Sequence, residues 1–103
     1  MSFNNVEVIK EANIYFDGKV TSRTVIFNDG SKKTLGIMLP GTYNFGTDKA
    51  EEMEILAGHL KVKLEGSGEW MEIRTPTTFN VPAKSSFDLE VFTPTDYCCS
   101  YLD

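Results

Sequence analysis

Residues 20–39 read VTSRTVIFNDGSKKTLGIML, and this stretch decides the fold class. From Val20 to Asn28, β-branched and aromatic side chains alternate with polar ones, the period of two that an extended chain with unlike faces requires. Asn28-Asp29-Gly30-Ser31 is a turn signal, and Lys33–Leu39 resumes an extended run, so the segment reads as a β-hairpin. The same grammar continues on the C-terminal side. Pro40-Gly41 makes a tight turn, because Pro pre-sets φ and Gly accepts a positive one. TYNFGT then places Tyr43, Phe45 and Thr47 on one face of a strand. Asp48–Glu54, with Glu51, Glu52 and Glu54, reads as a short loop feeding a strand in which Met53, Ile55 and Ala57 alternate. After a turn at Gly58-His59, Leu60, Val62 and Leu64 alternate with Lys61, Lys63 and Glu65, a strand with one wet face. Short extended runs follow at Trp70–Arg74, Phe79–Pro82, Phe87–Val91 and Tyr97–Leu102, with loops at Thr75–Thr78 and Ala83–Ser85. Eight to ten short strands spaced roughly ten residues apart, without a long amphipathic helix, predict an all-β, single-domain jelly-roll β-barrel over residues 1–103. Residues 1–14 are expected to form an N-terminal strand or arm that pairs across a dimer two-fold and covers an edge.

Composition narrows the function classes. The chain has 103 residues, one small domain's worth, which leaves no room for a separate cofactor-binding half. A net charge of −5 supplies no basic excess to neutralise phosphates, so a nucleic-acid polymer is not an expected partner. One histidine and two cysteines exclude multi-histidine metal sites, zinc fingers and iron–sulfur clusters. No apolar run is long enough to span a membrane, and the first residues lack the basic and apolar regions of a signal peptide. A cytoplasmic protein is expected, with the neighbours Cys98 and Cys99 as reduced, buried thiols in a strand.

The spacing around Gly58 resembles that of a cupin. The first cupin motif carries a His-x-His pair, a Glu, and a Gly seven residues after that Glu. Anchored on Gly58, this register puts Glu51 at the glutamate and Phe45 and Thr47 where the histidines would stand. In the second motif Pro82 is kept, Lys84 replaces the glycine, and Phe87 takes the third histidine's place. A lone carboxylate without imidazoles is a poor transition-metal site, so a metal-free cupin is expected. A second resemblance runs from about Ala12 to Leu102. ANIYFDGKVTSRTVIF, KTLGIMLPG with TYNFGT, EEMEILAG, the tryptophan at 70, FNVP and DYCCSYL are similar to the small pyrimidine/purine nucleoside phosphorylase family. The resemblance implies a cupin-like homodimer that splits purine and pyrimidine nucleosides with inorganic phosphate. The products would be free base and pentose 1-phosphate, with no cofactor beyond phosphate as co-substrate. Members usually carry glycine in the loop before FNVP, whereas this chain has Arg74-Thr75-Pro76-Thr77, which changes that loop's backbone options.

Phosphorolysis of an N-glycosidic bond passes through an oxocarbenium-like state and needs charge stabilisation at the sugar, a surface for the base and donors for phosphate. Glu51 is the leading catalytic candidate, as a carboxylate accepting from the pentose hydroxyls and stabilising positive charge at C1′. Thr47 is the second, as a hydroxyl reaching a sugar or phosphate oxygen. Phe45 and Phe87 are candidate base-binding surfaces, and stacking suits broad base tolerance because every base has a π face. Tyr43 is expected to donate to the ligand. Arg23 shares a strand face with Val25 and Phe27, expected to point inward, and an inward arginine requires an anion such as phosphate. Lys84, on its turn, is the other cationic candidate, while His59, outside every cupin ligand position, is expected to be structural. Two other readings fit the same fold: a metal-free cupin that binds a small molecule or sugar without turning it over, and a purely structural dimerising barrel.

Overall fold

The structure, a computed structural model, describes residues 2–102. Its strands are β1 (Glu7–Val8), β2 (Asn13–Tyr15), β3 (Val20–Ile26), β4 (Lys32–Met38), β5 (Gly41–Gly46), β6 (Ala50–Ala57), β7 (Leu60–Leu64), β8 (Met71–Ile73), β9 (Thr77–Val81), β10 (Ser86–Val91) and β11 (Thr95–Leu102). The hairpin read from residues 20–39 is β3–β4, registered from Val20 opposite Met38 to Ile26 opposite Lys32. Its turn is held by Asp29, whose Oδ1 accepts from the Ser31 backbone N–H at 2.9 Å and from the Ser31 hydroxyl at 2.6 Å. Gly30 supplies the positive φ, 87°, that this turn requires.

All pairings are antiparallel and lie in two sheets. The larger runs β1-β3-β4-β11-β6-β9, with β2 also on β3, and the smaller runs β5-β10-β7-β8. Their inner faces share one core, to which the larger sheet contributes Met38, Ile55 and Val81 and the smaller Leu60, Val62 and Leu89, all nearly inaccessible to solvent. The expected all-β, cupin-like class holds, with the strands in two facing sheets rather than one closed barrel. Gly36 on β4 shows how closely side chains lie over the larger sheet. A Cβ there would come within 2.8 Å of the Tyr97 ring, so only glycine lets that ring lie across the sheet.

Three expectations differ from the structure. Strand β6 starts at Ala50, so Glu51 sits in a strand rather than a loop. Residues Thr77 and Thr78 belong to β9 because they pair with Ile55 and Glu54, and Pro76 stands just outside the ladder where its missing N–H costs nothing. The N-terminal segment pairs within its own chain: Glu7 and Val8 lie opposite Ile26 and Val25, and Asn13–Tyr15 lie opposite Ser22–Val20. Within the chain, therefore, the edge that this segment covers is that of β3.

Candidate functional site

Between the inner face of the larger sheet and the end of β5 lies a cavity of about 170 Å³, lined by residues from β2, β3, β4, β5, β6, β10 and β11. The register of the central strands sets its chemistry. Tyr101 on β11 stands opposite Glu51 on β6, and Cys99 stands opposite Met53 on one side and Thr34 on the other. Because side chains alternate, Tyr97, Cys99 and Tyr101 share the inner face with Glu51, Met53 and Thr34, and all of them line the cavity. Phe45 and Phe87, opposite each other on β5 and β10, form a second wall with ring centroids 5.8 Å apart and planes inclined by 26°. Tyr15 meets Phe45 edge-on at 6.0 Å.

Glu51 is half-buried, and its Oε1 accepts from the Cys99 thiol at 3.5 Å. Burial raises its carboxyl above the usual glutamate range, and the bond from Cys99 opposes part of that rise. Cys99 itself is pushed up to about 12, first by burial and then by the neighbouring Glu51 charge, so it is a thiol and not a thiolate. Tyr101 is likewise pushed up to about 12, mainly by burial, and Tyr97 is raised for the same reason. Among the described residues, the cavity therefore presents one carboxylate, neutral hydroxyl and thiol donors, and the paired faces of Phe45 and Phe87. No lysine or arginine lines it. Such a surface suits a neutral, hydroxyl-rich molecule that carries a flat ring.

Of the residues expected from sequence, Glu51, Phe45 and Phe87 meet in this cavity. Thr47 is placed beside it but is otherwise engaged. Its hydroxyl donates to the Pro82 carbonyl at 2.7 Å and accepts from the Ser85 N–H at 2.9 Å, fastening the β5–β6 connection to the Pro82–Ser85 turn. Tyr43 shares the strand face but is buried at the far end, where its hydroxyl donates to the Leu39 carbonyl at 2.6 Å. Arg23 corrects the inward expectation: it is exposed, on the outer face of β3, while Val20 and Ser22 point inward. Val25 on the same outer face is buried, but by the N-terminal arm rather than by the core, and Phe27 meets Phe3 of that arm at 5.0 Å. Lys84 is exposed on the Pro82–Ser85 turn, with a positive φ of 53°. His59 lies away from the cavity, its Nε2 2.8 Å from Glu72 Oε2, and Arg74 meets the same carboxylate oxygen at 3.0 Å.

Tyr15, Ser22, Thr34, Tyr97, Cys99 and Tyr101 bring hydroxyl and thiol groups to the cavity that sequence reasoning missed. For the last three, a usable signal stood in DYCCSYL, since the period of two puts residues 97, 99 and 101 on one face. Both cysteines are buried free thiols, as expected, and they face opposite sides: Cys99 the inner cavity, Cys98 a groove on the outer face.

A family model described as pyrimidine/purine nucleoside phosphorylase matches residues 10–101. The chain belongs to that family. A protein of this name from Wolinella succinogenes is 64% identical over 98% of this chain and 96% of its own. Another from Leptospira borgpetersenii is 59% identical over 97% and 96%. Among solved structures, a protein of unknown function from Acinetobacter sp. ADP1 superposes with a TM-score of 0.94 at 42% identity, covering 98% of both chains. A putative ethanolamine utilization protein Q from Salmonella typhimurium superposes at 0.68 with 14% identity over 95% of this chain and 97% of that one, a likeness of fold alone. Family membership thus rests on sequence over nearly the whole chain.

Proposed function

We propose that this chain is a nucleoside phosphorylase, a pentosyltransferase that converts purine and pyrimidine nucleosides and phosphate to free base and α-D-ribose 1-phosphate. The observation that carries the reading is the coincidence of near-full-length family membership with a cavity in which Glu51 is the one carboxylate among the described residues. Glu51 accepts hydrogen bonds from the pentose hydroxyls and stabilises positive charge at C1′ as the glycosidic bond breaks. Phe45 and Phe87 offer a flat apolar wall to the base, and a stacking wall tolerates purines and pyrimidines alike.

Phosphate is a co-substrate, and the reaction uses no metal: among the described residues the cavity offers one carboxylate, one protonated thiol and no imidazole, a poor donor set for a transition metal. Phosphate approaches from the side of the Pro82–Ser85 turn, where Lys84 supplies the cation that the cavity lining lacks and Thr47 holds the turn in place. The protein works as a homodimer in the cytoplasm. Two free thiols suit a reducing compartment, and among the described residues no helix is long and apolar enough to cross a membrane. The dimer forms through the outer face of the larger sheet, where Leu35, Ile37, Leu39 and Leu56 are each about two-fifths exposed.

The test is base release from uridine and inosine by purified protein, with and without phosphate. Phosphate-dependent release from both is expected, and Glu51→Gln should lower turnover at least about tenfold, as loss of a charge-stabilising contact does. Base release indifferent to phosphate would make the protein a hydrolase. No release from either nucleoside would favour a binding module.

A further inference from the structure

We propose that Cys99 is a positioning residue, whose thiol holds the Glu51 carboxylate against the cavity wall where the pentose is bound. The proposal rests on the reading of Glu51 as the sugar-facing carboxylate. Its geometry comes from the β6–β11 ladder. Cys99 lies diagonally across from Glu51, two residues before the directly opposed Tyr101, so the alternation that turns Glu51 inward also brings the thiol to it. The Sγ–Oε1 distance is 3.5 Å, both side chains line the cavity, and Cys99 is only 4% exposed.

A glutamate has three side-chain torsions, and a half-buried one gains hydration by swinging outward. One donor fixed in a central strand opposes that swing. The thiol suits the place because it packs as a small apolar group against Met53 and its neighbours while still offering a proton. Burial keeps that proton in place across the pH range in which enzymes of this kind are assayed, so the donor is permanent. Among the described residues, the titratable groups that share the cavity with Glu51 are Tyr97, Cys99 and Tyr101 from β11 and Tyr15 from β2. Opposite it, β9 presents Val81, which carries no charge.

The test compares wild type, Cys99→Ala and Cys99→Ser by two readouts on the intact protein. The first is the titration of the Glu51 carboxyl carbon by NMR, assigned with Glu51→Gln. The second is the pH dependence of kcat/KM for uridine phosphorolysis. In Cys99→Ala the Glu51 titration should move upward by about half a pH unit or more, because a hydrogen bond to the charged form is lost. The acidic limb of kcat/KM should move with it, and Cys99→Ser should restore both. An unchanged Glu51 titration in Cys99→Ala overturns the proposal. A titration that moves while the acidic limb stays in place overturns the positioning role and the catalytic assignment of Glu51 with it. Should wild type show no phosphorolysis at all, the proposed function fails, and the titration alone still decides whether the thiol holds the carboxylate.

Discussion

Glu51 is held in a setting that costs the folded protein something. Its carboxyl is raised by burial, and the Cys99 bond offsets only part of this. A group whose folded pKa lies above its unfolded value destabilises the fold once pH passes the unfolded value, because the unfolded chain ionises it more readily. At low pH the carboxyl is neutral in both states and the cost is absent. Glu51→Gln should therefore be more stable than wild type in urea unfolding at pH 7, with the difference vanishing as pH falls below the ordinary glutamate range. Equal stability at both pH values would mean that the carboxylate is fully hydrated in the folded state. Combined with the loss of turnover expected of the same variant, a gain in stability is the signature of a residue kept for chemistry rather than for packing. The sequence placed this residue correctly because the Gly58 register is a spacing rule, and spacing survives even when a residue's secondary structure is misread. It misplaced Arg23 because alternation reports that a face is covered but not what covers it. Val25 and Phe27 are covered by the arm, and the arginine between them reaches solvent.

At the level of elements, β7 and β10 were legible because each keeps a strict period of two, and β3 and β4 because β-branched and apolar residues flank a clear turn signal. β9 was not, since Pro76 and three threonines read as a loop and only the pairing with β6 makes them a strand. Thr47 shows the same limit in the site. An inward hydroxyl does call for a partner, but sequence could not show that the partners are the Pro82 carbonyl and the Ser85 N–H of the same chain. Its function is to fasten two connections beside the cavity. Thr47→Val keeps the shape and removes both bonds, leaving the Ser85 N–H without its acceptor. A loss of about 1–3 kcal/mol is expected from denaturant titration, and Thr47→Ser should recover most of it. Recovery of turnover by Thr47→Ser, together with stability, would place Thr47 as a support for the turn that carries Lys84. A Thr47→Val variant as stable as wild type would show that solvent replaces both bonds.

At the scale of the whole molecule, the outer face of the larger sheet carries exposed apolar side chains on neighbouring strands. The inner faces of the two sheets bury each other, and β1 and β2 pair with the β3 edge, so neither core nor that edge remains for a second copy. The outer face of the larger sheet is different. Leu35 on β4 stands opposite Cys98 on β11, which in turn stands opposite Glu54 on β6, and Leu35, Ile37 and Leu56 are all exposed apolar side chains. With Val8 and Phe3 of the arm, Leu35 and Leu56 rim a groove of about 450 Å³. An apolar surface continuous across neighbouring strands is uncommon on a monomer and is the ordinary substrate of a two-fold contact. A two-fold on this face also explains how residues 1–14 can belong to an interface while pairing within their own chain: the arm would frame the contact rather than donate a strand to it. Ile37→Lys places a charge in the middle of that face without touching the inner cavity. Wild type should elute from gel filtration as two chains and Ile37→Lys as one, with the Glu51 cavity and its nucleoside binding intact in the single chain. A wild-type protein that elutes as one chain would show that solvent, and not a second copy, covers this face.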